Sequence, residues 1–254
     1  MSPTRLISAV KSRWQPALPA SRNTLLALMA VKLVATLAVL SFGLVLAPQT
    51  SHAADASATA ADTATPASAA AYADALASFN RALAGQESAV GTALSQWSAL
   101  MAAEPGNPVP RAYTGAATAL QARTTLLPWK KLGFADDGLA LIDKALGQLT
   151  PAHDTQLQGG VPASLLVRFT AAGTFNAMPA MFNRGDRGAR LMDEVLKSPL
   201  LAASPLGFRA AVWQRAADDA TKAQRPTDAR QWLEKIAASG APQAADAQAR
   251  LKAL

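Results

Sequence analysis

From residue 72 onward, large apolar side chains recur at intervals of three and four, and no stretch alternates with period two. That periodicity places them on one face of successive α-helices and leaves no half-buried strand to build a sheet from. Leu76, Phe79 and Leu83 form one stripe, and Ala93, Leu94, Trp97, Leu100 and Met101 the next. The pattern continues through Tyr113, Ala116 and Leu120, then Leu139, Ile142 and Leu146, and on to Trp232, Leu233 and Ile236. Proline-containing breaks fall between the stripes, at 104–108, 149–151, 159–162, 197–199, 203–205, 225–228 and 240–242. Proline cannot continue a helix from within but suits its first turn, so each break marks one helix ending and another starting. The expectation is an all-α chain of about eight or nine helices of roughly 12–20 residues, joined by short turns.

Helical hairpins at near-regular intervals call for a search for repeats. Ala93, Trp97, Leu100 and Pro105 lie at offsets of zero, four, seven and twelve, and Gly115 follows ten residues after the proline with Tyr113 beside it. Gly138, Ile142 and Ala145 repeat the offsets of four and seven, and residues 228–236 look like another second helix. Two helices approach closely only where side chains are short, with large residues from the partner filling the space alongside.

This spacing resembles the tetratricopeptide (TPR) repeat over most of residues 73–254. The segments Tyr113-x-Gly115-Ala116, Leu127-Pro-Trp-Lys-Lys131 and Met178-Pro with Phe182 are also similar to an uncharacterised exported subfamily of bacterial TPR-like proteins. The resemblance implies a right-handed α-solenoid and a binding scaffold, and it supplies no activity. The chain departs from the pattern between Gly115 and Gly138, which are 23 residues apart where the standard repeat has about a dozen. Residues 125–134 therefore read as an insertion, and residues 176–185 as a second one in the next hairpin.

Ahead of the helices, residues 33–47 are an uncharged apolar run preceded by Lys32 and followed by small residues at Ser51 and Ala53. That is the order of a signal peptide cleaved after Ala53, and 15 residues is short of the about 20 needed to span a bilayer. A start at Met29 would give a leader of ordinary length. An uncleaved anchor, running back through residues 25–31 and tolerating Lys32, is the alternative; either version places the rest of the chain outside the cytoplasm, periplasmic, secreted or held at the inner membrane. Residues 54–71 hold no large apolar side chain and read as a flexible Ala/Thr/Ser-rich linker, with helix favoured towards Tyr72.

The charge follows the same division. The chain carries a net +7, but residues 1–53 hold five basic side chains and no acid, while the remainder holds 19 basic and 17 acidic groups. A folded region with +2 gives no electrostatic case for nucleic acid.

Few residues could carry chemistry. There is no cysteine, and His153 is the one histidine beyond the leader, which argues against nucleophilic and zinc chemistry alike. His153 sits in a Pro-Ala-His-Asp turn and reads as a cap. Gly159-Gly160 lacks the Lys-Ser/Thr of a nucleotide loop and reads as a turn. The pairs Asp136-Asp137 and Asp218-Asp219 point different ways on a helix, the first suiting a helix N-terminus and both reading as solvated charge.

Two groups remain as partner-binding candidates. Arg184, Arg187 and Arg190 recur at threes at a helix start, where cations are disfavoured unless an acid such as Asp186, Asp193 or Glu194 pairs with them. Trp129, Lys130 and Lys131 lie in the first insertion and read as an inter-helix loop. Together these observations lead to an exported scaffold that binds envelope proteins, without catalysis, cofactor or metal. A module for a small anionic envelope ligand, a glycan or lipid headgroup, is the second reading.

Overall fold

A computed structural model describes residues 66–254. The leader, the alternative start at Met29 and most of the linker lie outside the described residues. The fold is an all-α stack of helical hairpins. Its helices are α1 Pro66–Leu83, α2 Ser88–Ala103, α3 Pro108–Gln121, α4 Pro128–Gly147, α5 Ala163–Ala177, α6 Gly185–Lys197, α7 Pro199–Ala203, α8 Leu206–Lys222, α9 Pro226–Ala237 and α10 Ala244–Ala253. The count among the described residues is ten, above the eight or nine expected. The difference comes from residues 197–205, where two prolines six residues apart cut out the single turn of α7.

Three of the expected breaks open helices at their prolines, and Pro128, inside the segment read as an insertion, opens one as well. Pro108, Pro128, Pro199 and Pro226 each open a helix, in the first turn where the missing amide proton has no partner to lose. Helix α1 reaches back to Pro66, so the last six residues assigned to the linker are its first turns. Gly159 and Gly160, with φ of 58° and 77°, turn a minimal antiparallel hairpin between β1 Leu157–Gln158 and β2 Val161–Pro162. Two consecutive positive φ values are what such a two-residue turn requires.

Helices pair as α1/α2, α3/α4, α5/α6 and α8/α9, and α10 closes the stack against α9. The first helix of one hairpin packs on the first helix of the next, α3 on α5 and α5 on α8. Each second helix carries a buried small residue followed by buried large or medium ones at offsets of four and seven: Ala93, Trp97, Leu100; Gly138, Ile142, Ala145; Gly188, Met192, Val195; Ala229, Leu233, Ile236. Successive units begin 45, 50 and 41 residues apart, all longer than the roughly 34 of a TPR repeat. At Gly115 and Gly138 the backbones of α3 and α4 touch. A Cβ on Gly115 would lie 2.6 Å from the Gly138 carbonyl oxygen, and one on Gly138 would lie 2.5 Å from that of Gly115. At Gly188 a Cβ would overlap the side chain of Asn176.

The wide offset residue of the first unit is Trp97, which is almost fully enclosed and stacks on Tyr113 with ring centres 4.2 Å apart. Tyr72 and Phe79 meet this pair edge-on, at 5.7 Å from Trp97 and 5.2 Å from Tyr113. Trp213 is also buried, whereas Trp232 is only partly so, under the ammonium of Lys235.

The connections sort onto two edges of the stack. Those within hairpins (84–87, 122–127, 178–184 and 223–225) form a tip edge. Arg123 Nη1 donates to the Ala82 carbonyl there, and Asn176 Nδ2 donates to Asp219 Oδ2 at 2.8 Å. Those between hairpins (104–107, 148–162, 198–205 and 238–243) form a base edge. Gln148 Nε2 donates to the Pro105 carbonyl, and a Cβ on Gly160 would meet the Pro205 ring at 3.2 Å.

Candidate functional site

The three arginines do not share a face. Arg184 precedes the helix and Arg187 occupies its first turn; both reach the preceding hairpin and close on Asp143 of α4. Arg184 Nη2 lies 2.8 Å from Asp143 Oδ2, Arg187 Nη1 donates to Oδ1, and the two guanidinium groups sit over the Phe175 ring, 5.3 and 5.2 Å from its centre. One carboxylate and one aromatic face thus compensate two cations, and an acid near the N-terminus of α6 suits the helix dipole. The acids expected to pair with them do not. Asp193 holds Lys197 at 2.6 Å, and Glu194 lies 3.6 Å from Arg168. Arg190 is exposed and separate from the clamp.

Trp129, Lys130 and Lys131 are not on a loop. Pro128 opens α4, so they form its first turn, extending the helix beyond the repeat rather than interrupting it. Trp129 is 67% exposed, and its neighbours Leu126, Leu127 and Leu132 are 93, 38 and 43% exposed. The same early start places Asp136 and Asp137 well inside α4, exposed, and not at its N-terminus.

The other acidic pair is not solvated charge. Asp219 accepts from the buried Arg215 at 3.1 Å and from Asn176 at 2.8 Å, while Arg215 Nη2 donates to the Gly173 carbonyl. Asp218 points the other way and accepts from Arg250 of α10 at 2.7 Å. Burial pushes the Asp218 carboxyl above the usual aspartate range, against the pull of Arg250. These contacts pin α8 to α5 on one side and to α10 on the other.

His153 caps its own short 3-10 turn, Pro151–Asp154. The Thr150 amide donates to His153 Nδ1 at 2.9 Å, and Thr150 Oγ1 lies 3.0 Å from the same nitrogen. Tyr72, Glu104 and Asn107 form a further polar knot at the base edge: Tyr72 Oη donates to Glu104 Oε2 at 2.7 Å, and Asn107 Nδ2 donates to both. Burial and the Glu104 contact raise the Tyr72 hydroxyl above the ordinary phenol range. No group of three His, Asp or Glu side chains able to hold a metal ion occurs among the described residues. Two surface cavities, of about 280 and 310 Å³, are lined by Leu165, Arg168, Glu194, Lys197 and Ser198, and by Thr221, Gln224, Pro226 and Leu254; neither includes a candidate residue.

No family model, curated protein or solved structure matches this chain.

The inner helices leave little room for a peptide groove. Of the 14 residues of α3, eleven are buried, so neighbouring hairpins already enclose that helix. The partners that sequence reasoning missed, Asp143, Asn176 and Arg215, act through contacts 41 to 44 residues away in the chain, or, for Arg215 with Asp219, on a face indistinguishable from solvent by pattern.

Proposed function

We propose that the protein is a non-catalytic, TPR-like scaffold that acts outside the cytoplasm and holds protein partners of the cell envelope on its exterior. One observation carries this reading: the side chains best able to do chemistry hold helices together instead. Asp143 is clamped by two arginines, Asp219 and Arg215 tie α8 to α5, Asp218 ties α8 to α10, and His153 caps a turn. A rigid stack whose charges serve its own joints has its outer surface left for function. The arginine clamp also weighs against a small anionic ligand, because the guanidinium charge is already partly met.

Photo-crosslinking residues placed at the exposed positions Asp137 and Arg190 in the full chain test the reading in cells. Discrete protein adducts are expected at one or both. Absence of any protein adduct from the exposed faces of α4 and α6 would overturn it. Export has its own test, since a mature N-terminus at Ala54 is expected from intact cells and an unprocessed, cytoplasmic chain would refute it.

A further inference from the structure

The tip edge of the stack differs from the base edge in both apolarity and charge. Of the seven large apolar side chains exposed among the described residues, five lie in the tip connections or on the first turns of α4: Leu126, Leu127, Trp129, Leu132 and Met181. Leu254 lines the cavity beside Gln224 and Pro226 at the same edge, and only Leu157 lies on the base. With the first turns of the helices that follow included, the tip connections carry Arg123, Lys130, Lys131, Arg184, Arg187 and Arg225 against Glu87, Asp186 and Asp228; Asp143 holds Arg184 and Arg187, and Asp228 holds Arg225, which leaves Arg123, Lys130 and Lys131 outside the ion pairs of the described residues. On the same basis the base connections carry Arg111 and Arg209 against Glu104, Asp154 and Asp246. From residue 105 to residue 135 there is no acid at all.

We infer that the tip edge docks on an anionic lipid surface, with residues 126–132 entering the headgroup region. Shape decides for lipid over a protein partner. A partner helix or strand would meet a continuous stripe at helical spacing; Trp129 and Leu132 are one turn apart on α4, but Leu126 and Leu127 precede the helix and do not continue that stripe. Such consecutive side chains cannot all face one flat partner, whereas a fluid apolar phase receives them in any direction. Leu126, at 93% exposure, stands out as a tip and not as a wall of a groove. Tryptophan and leucine at the acyl boundary with lysines reaching anionic headgroups is the composition by which surface-lying helices hold to bilayers. No helix among the described residues is long and apolar enough to cross a membrane, so this contact is peripheral.

The absence of cysteine gives a clean test. A single Leu126→Cys or Ala152→Cys in the full chain carries a solvatochromic fluorophore at the tip or the base edge. The chain is mixed with phosphatidylglycerol–phosphatidylcholine vesicles or phosphatidylcholine vesicles, with nitroxide-labelled lipid as quencher. The expected result is a blue-shifted, quenched label at 126 on the anionic vesicles and an aqueous label at 152. Helix α1 begins at the base edge, so binding by the leader alone would favour the label at 152 over that at 126. In the Leu126→Cys background, Lys130→Gln with Lys131→Gln lowers the insertion constant by roughly thirtyfold, from the attraction of two surface cations to anionic lipid; unchanged helicity shows that the variant folds. An aqueous label at 126 on vesicle-bound chain, equal responses at 126 and 152, or equal insertion into neutral vesicles would each overturn the inference. So would shielding of 126 by a crosslinked protein in place of lipid.

Discussion

Gly115→Ala should destabilise the fold even though alanine is the better helix former. Released from its surroundings, the change would favour the helix by about 1 kcal/mol. The added Cβ, however, would stand 2.6 Å from the Gly138 carbonyl oxygen, 2.9 Å from Ile142 Cγ1 and 3.0 Å from Leu141 Cβ. The first of these is backbone, so relief requires moving α4 away from α3. Overpacking of a close-fitted site costs about 1–3 kcal/mol, and a backbone clash belongs at the upper end. The net loss is about 2 kcal/mol, which for a domain of this size lowers Tm by about 4–8 °C. Gly91→Ala is the matched control: Gly91 is exposed in α2 with nothing within 4 Å of its would-be Cβ, so the same change there should raise stability by about 0.5–1 kcal/mol. Urea and thermal unfolding followed by circular dichroism on the two full-length variants give opposite signs. If Gly115→Ala stabilised the protein as Gly91→Ala does, the close crossing of α3 and α4 would be refuted.

Asp143→Asn leaves Arg184 and Arg187 crowded without their carboxylate and should cost about 1–2 kcal/mol, moderated because the pair is part-exposed, whereas Arg190→Ala should change the urea midpoint by less than about 0.5 kcal/mol. Equal losses would mean that the three arginines act as one unit. Asn107→Ala removes the cap that accepts from the Val109 amide, along with two bonds to Tyr72 and Glu104, and should cost about 1–2 kcal/mol in the same assay; a neutral result would place that polar knot outside the folded unit's cooperativity. For Asp218 the folded carboxyl binds its proton more tightly than in the unfolded chain, where its pKa is near 3.8. Its contribution is therefore fully present below that value and is lost as pH rises through the folded value. The stability of wild type relative to Asp218→Asn should improve as pH falls from neutral towards 3.8, and a flat or opposite difference in urea midpoints would contradict the burial of this group.

What the sequence made legible was set by how local the determining physics is. The small-then-large offsets at Ala93, Gly138 and Ala229 are visible because one helix turn writes them, and proline positions declare helix starts wherever they fall. The same motif at Gly188, Met192 and Val195 is masked in the sequence by Arg187 and Arg190, whose charge dominates the local pattern, while the glycine between them makes the close approach to Asn176. Residues 125–134 read as a loop because the repeat template expected a second helix to begin near Gly138. Pro128 allows an earlier start, and nothing local distinguishes a proline that opens a helix from one that merely ends its predecessor. The Asp143 clamp has no sequence signature, since its members are charged, half-exposed and in different hairpins.

The early start of α4 also bears on what the exposed apolar residues are for. The first buried residue of α4 is Ala135, and the crossing with α3 is made at Gly138, so a helix beginning at 134 or 135 would already satisfy the core. In α6, built for the same place in the next unit, the buried residues begin at Gly188, in the first turn. The seven residues of α4 before Ala135 therefore add two turns that hold no fully buried residue, with only Lys131 and Phe134 partly covered, and they leave Trp129 and Leu132 exposed. Exposing such side chains in a cluster invites aggregation and gives the fold nothing in return. A surface that folding does not require, placed at one edge with Lys130 and Lys131 in the same turn, is better explained by what it touches outside the molecule than by what it supports within it.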